Sequence, residues 1–64
     1  MNLEDIEAEL VRFLAGKGIV RPSSVLGKDF IGDSTTKERF YGLISLADKG
    51  KLKLHDGHLI EYPG

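Results

Sequence analysis

The chain has 64 residues, of which 41% are hydrophobic and 30% charged, with no cysteine and a formal net charge of −1. That length holds one domain, expected to run over residues 1–64 with a thin core, because a chain of this size buries only roughly 60% of the surface its unfolded form exposes. The composition excludes a disulfide framework, a thiolate nucleophile and a cysteine-bound zinc site, and no apolar run approaches the ~20 residues that span a bilayer.

The opening Met1-Asn2-Leu3-Glu4-Asp5 is acidic where a secretory leader is basic and then apolar. An intracellular setting, cytoplasmic or with the nucleic acid of the cell, is therefore expected. Leu3, Ile6, Leu10, Phe13 and Leu14 recur at three- and four-residue steps, the period of an amphipathic helix. Glu4, Asp5, Glu7, Glu9 and Arg12 fall on the other side and predict an acidic, solvated face. Asn2 is placed to cap this helix, the acids of the first turn suit the positive end of its dipole, and Gly16 or Gly18 is expected to end it.

Ile19-Val20 is a β-branched pair, too short for an independent strand. Pro22 tolerates a first-turn position and Ser23 and Ser24 have capping side chains, so a second helix starts here. Val25, Leu26 and Phe30 supply its apolar face, Gly27 weakens it, and Gly32 is its expected end. Thr35-Thr36-Lys37-Glu38 then fits a capping box, in which Thr35 accepts from the Glu38 amide and the Glu38 carboxylate reaches back. Phe40, Leu43, Ile44, Leu46 and Ala47 form the expected inward stripe of this third helix. Phe40 and Tyr41 cannot both point inward, since adjacent helical residues diverge by about 100°. Gly50, after Lys49, is the expected stop.

The tail reads as a hairpin. Leu52 and Leu54 alternate with Lys51 and Lys53, and Leu59-Ile60-Glu61-Tyr62 mirrors them beyond His55-Asp56-Gly57. A two-residue Asp56-Gly57 turn would pair Leu54 with Leu59 and Leu52 with Glu61. A three-residue His55-Asp56-Gly57 loop would pair Leu54 with His58 and Leu52 with Ile60, set Lys51 opposite Glu61, and place Leu52, Leu54, Ile60 and Tyr62 on one face. The face that must be buried selects the second register.

The order helix, short strand, helix, helix, hairpin resembles that of the winged helix-turn-helix superfamily over nearly the whole chain. The run Leu43-Ile44-Ser45-Leu46-Ala47-Asp48-Lys49-Gly50-Lys51-Leu52 is similar to the end of that family's recognition helix and its turn into the wing. The resemblance implies an α+β fold of three helices with a C-terminal β-hairpin wing, in which Ile19-Val20 pairs with the wing. With Lys37-Glu38 upstream, the same run is also similar to the Z-form-nucleic-acid-binding domains of RNA-editing adenosine deaminases and related viral proteins. Those domains contact the duplex through an asparagine and a tyrosine of the third helix and through a proline pair and a tryptophan in the wing. Here Phe40 and Ile44 stand at the first two positions, the wing reads His55-Asp56-Gly57-His58, and there is no tryptophan. The resemblance therefore implies the fold, and Lys37 as a phosphate contact, without the Z-form specificity.

Between Thr35 and Lys53 the cations Lys37, Arg39, Lys49, Lys51 and Lys53 outnumber Glu38 and Asp48, against an acidic first helix. That asymmetry could orient the chain on a polyanion despite its total charge. The expected function is that of a duplex-DNA-binding module, a regulator of transcription or replication, using helix 34–49 and wing 51–62. Ser34, Thr35 and Thr36 would offer hydroxyls and helix-start amides to phosphate. Lys37 would add a phosphate contact and Arg39 a bidentate reading of guanine. Lys51 and Lys53 would steady the wing, with His55 or His58 joining when protonated.

The alternative is a protein-interaction module on the same scaffold, meeting a partner or a second copy through Phe40 or Tyr41. An enzyme is not expected. There is no phosphate-cradling glycine loop, no metal-ligand spacing and no convergent Ser/His/Asp group, so neither cofactor nor metal is implied.

Overall fold

A computed structural model describes all residues from Met1 to Gly64. It contains α1 (Leu3–Leu14), β1 (Ile19–Val20), α2 (Pro22–Leu26), α3 (Thr36–Asp48), β2 (Lys53–His55) and β3 (Leu59–Glu61). The three strands form one antiparallel sheet in the order β1-β3-β2, so the β-branched pair after α1 does join the hairpin. This is a small α+β domain whose layout is compatible with a winged helix.

α1 begins as its sequence dictates, with the Asn2 side chain accepting from the Asp5 amide at 2.8 Å. Ile6, Leu10 and Leu14 of α1 meet Val25 of α2, Leu46 of α3, and Leu52 and Ile60 of the hairpin, and these seven side chains are the core. α3 lies tightly against α1 at Gly42. A Cβ on Gly42 would lie 2.6 Å from Leu10 Cδ1 and 2.8 Å from Ile6 Cγ2. Both side chains are buried, so neither has free space in which to yield to the added methyl group.

α2 is shorter than expected. It ends at Leu26, with Gly27 as its C-cap, and does not continue to Gly32. The reason is competition for its last carbonyls: Val25 O and Leu26 O accept from side chains of α3 and are withdrawn from any further helical turn. Phe30 consequently sits in the following loop. There its ring packs on Phe13, with centroids 4.9 Å apart.

α3 carries both halves of the capping box, Glu38 N–H to Thr35 Oγ1 at 3.1 Å and Thr35 N–H to Glu38 Oε1 at 2.8 Å. Its inward stripe is narrower than expected. Leu46 is buried and Leu43 and Ala47 are half-buried, but Phe40 and Ile44 are exposed by 51% and 44%.

The hairpin adopts neither register derived from its sequence. Leu54 pairs with Ile60, His55 with Leu59 and Lys53 with Glu61, leaving Asp56-Gly57-His58 as the loop. Gly57 and His58 both take left-handed backbone angles, with φ of 80° and 62°. Relative to the expected pairing of Leu54 with His58, each partner has moved by two residues. A shift of two preserves every side chain's face, so the buried face alone could not choose between these registers. One contact across the hairpin favours the observed pairing, a diagonal His55 Nε2 to Glu61 Oε1 contact of 2.9 Å.

Candidate interaction face

The start of α3, expected to cradle phosphate, is already occupied by carboxylates. Glu9 reaches across from α1, accepting from Ser34 Oγ at 2.6 Å and from the backbone N–H groups of Asp33 and Ser34 at 2.9 and 3.2 Å. The Ser34 hydroxyl and the Asp33 amide hold the Glu9 carboxyl below the usual glutamate range, so it stays negative. Glu38 is likewise held low, chiefly by the Thr35 amide. An arriving phosphate would meet the Glu9 carboxylate on the Ser34 side, while Glu38 is already ion-paired with the Met1 amino group at 2.9 Å. Ser34 is buried, Thr35 caps the helix, and the Thr36 hydroxyl donates to Leu26 O at 3.2 Å. The hydroxyls of Ser34, Thr35 and Thr36, expected to meet phosphate, are thus each engaged within the fold.

Arg39 corrects the expectation of a base-reading side chain. It is only 6% exposed. Its Nε donates to Val25 O at 2.7 Å, one terminal nitrogen donates to Ser34 O, and the other lies near Leu26 O and Thr36 Oγ1 at 3.4 and 3.3 Å. The guanidinium also stacks over the Phe30 ring, 4.4 Å from its centroid. Arg39 therefore caps the C-terminal carbonyls of α2 and ties them to the start of α3. Each of its three nitrogens is engaged within the fold.

The acidic face of α1 is corrected in part: Glu4, Asp5 and Arg12 are exposed as expected, but Glu7 and Glu9 are not. Besides Glu9, Glu7 is buried against α3, accepting from Ser45 Oγ at 2.7 Å and from Lys49 Nζ at 2.9 Å. Those two donors hold its carboxyl below the ordinary range. The remaining cations do not converge. Lys51 lies with Glu4 and Glu7 along the groove beside α1, Lys53 stands opposite Glu61, and His55 contacts that same carboxylate. Lys37 is exposed near the first turn of α3. Of the five cations read between Thr35 and Lys53, Lys49 is thus paired with Glu7 and Arg39 is spent on backbone carbonyls, while Lys37, Lys51 and Lys53 stand exposed on different elements.

The surface that is coherent is apolar. Phe40, Tyr41, Ile44 and Leu54 are exposed by 51%, 55%, 44% and 68%. Phe40, Ile44 and Leu54 line one open cleft with Pro22, Leu26 and His58, bounded by α2, α3 and the hairpin. Tyr41 extends this surface along α3, its ring edge-on to Phe40 at 5.9 Å. The sequence pointed to Phe40 and Tyr41. It did not point to Ile44 and Leu54, which belong by period to the inward stripes of their elements but project past the end of a thin core.

No buried side-chain nitrogen or oxygen lacks a hydrogen-bond partner. No group of three or more His, Cys, Asp or Glu side chains is placed to hold a metal ion, and no helix is long and apolar enough to cross a membrane. No family model matches the chain, and neither a curated protein nor a solved structure matches it.

Proposed function

We propose that the chain is a winged-helix scaffold that works as a protein-interaction module, meeting its partner through the outer ridge of α3 and the adjoining cleft. The observation that carries this reading is the joined exposure of Phe40, Tyr41, Ile44 and Leu54. A domain this small leaves such a patch uncovered at a cost in solubility, and aromatic anchors beside a cleft are the usual centre of a protein contact. A duplex-binding helix needs cations on this ridge, and only Lys37 stands there. Arg39, the side chain best suited to reading a base, supports the fold instead.

The test is site-specific photo-crosslinking in cells that produce the chain, with a photoreactive phenylalanine analogue replacing Ile44, Leu54 or, as a control outside the face, Lys28. The reading predicts discrete protein adducts from Ile44 and Leu54 and none from Lys28. Adducts to nucleic acid, or equal labelling from all three positions, would overturn it.

A further inference from the structure

We infer that the partner of this face is a second copy of the chain, with two α3 helices packed antiparallel about a two-fold axis. This rests on the reading of α3's outer ridge as a protein contact and adds the identity of what covers it. The outermost line of α3 runs Lys37, Tyr41, Ile44, Asp48, and all four side chains are exposed. Their steps of four, three and four residues are those of the seam of a two-helix coiled coil. The seam is apolar at its centre and carries opposite charges at its two ends, roughly 16 Å apart at a rise of 1.5 Å per residue.

That pattern is complementary to itself in one orientation only. Turned antiparallel about a point between residues 42 and 43, Lys37 meets the partner's Asp48 at each end, and Tyr41 meets the partner's Ile44 twice at the centre. A two-fold contact requires this reciprocity, since whatever one residue touches must touch it back. A parallel pairing would instead set lysine against lysine and aspartate against aspartate. Phe40 borders the seam on the cleft side, where it would add apolar contact beyond the four seam residues. A seam this short buries less than the roughly 800 Å² per partner of a standard interface. The association is accordingly weak, with a dissociation constant on the order of 10⁻⁵–10⁻⁴ M.

Sedimentation equilibrium of the purified chain from about 10 to 1,000 μM tests this, with Lys37→Asp, Asp48→Lys and the double reversal alongside; the concentration range brackets the expected constant. Both positions are exposed, and circular dichroism of each variant is the check that its helices are kept. The expected result is a mass rising from 7.1 kDa toward twice that value. Each single reversal should weaken association about tenfold, and the double reversal should recover to within about threefold of the wild type. A mass fixed at the monomer value, singles that associate like wild type, or a double reversal as weak as the singles would each overturn the pairing. A monomeric chain whose Ile44 position still cross-links to a different protein would overturn the self-pairing while leaving the wider reading intact. Absence of protein adducts from Ile44 would remove both.

Discussion

Arg39→Ala is expected to destabilise the fold by about 3–4 kcal/mol, because it removes the buried donor that satisfies the Val25 and Ser34 carbonyls. The loss is large for a domain of this length, whose whole stability is roughly 3–10 kcal/mol. In thermal denaturation it should appear as a fall in Tm of at least about 12 °C. Two further variants separate the causes. Arg39→Met fills much of the same volume but leaves the Val25 and Ser34 carbonyls bare, and should recover little. Arg39→Lys restores the charge without the planar fork, and should recover less than half. An unchanged Tm in Arg39→Ala would show that the guanidinium is not holding α2 to α3.

Glu9→Ala should cost about 2–3 kcal/mol, the next largest effect, since it leaves the buried Ser34 hydroxyl and amide without their acceptor. The same carboxylate gives the fold an acid limb. Its folded pKa lies below the unfolded value, so its contribution is fully present above the ordinary glutamate range. That contribution is lost as pH falls through this range and then through the lower folded value. Glu7, held low by Ser45 and Lys49, adds to the loss in the same direction. Denaturant midpoints measured from neutral pH down to about pH 3 should therefore fall with acid, and Glu9→Gln should flatten part of that fall. A Glu9→Gln profile parallel to that of the wild type would contradict the assignment.

Most of the fold was legible in the chain because it rests on local signals. The Asn2 cap, the Thr35–Glu38 capping box, Pro22 at a helix start and the alternation of the hairpin each act within a few residues. What was not legible was how charged side chains are used, and here the period held a clue that residue type obscured. Arg39 lies four residues before Leu43 and seven before Leu46, on the stripe that faces the core. Glu7 lies three before Leu10 and seven before Leu14 in the same way. Spacing places both inward, but their charge reads as outward, and only the tertiary partners decide: spent helix carbonyls for Arg39, and Ser45 with Lys49 for Glu7. The hairpin register escaped for a different reason. Two pairings that differ by two residues present identical faces, and the choice falls to contacts such as the His55–Glu61 diagonal. The apolar face was half legible, since adjacent Phe40 and Tyr41 cannot both be buried, whereas the exposure of Ile44 and Leu54 depends on where a thin core ends.

On the proposed reading the chain meets its partner through the apolar ridge of α3 and not through its cations. Salt-dependent anisotropy on a labelled mixed-sequence DNA duplex tests it most directly. Each phosphate neutralised contributes a slope of about −0.9 in log K against log salt. With Lys37 the only cation on the exposed ridge, weak binding with a slope no steeper than about −1 is expected. A slope of about −3 or steeper that relaxes in Lys37→Ala, Lys51→Ala and Lys53→Ala alike would contradict it, because those three cations would then have to converge on one duplex.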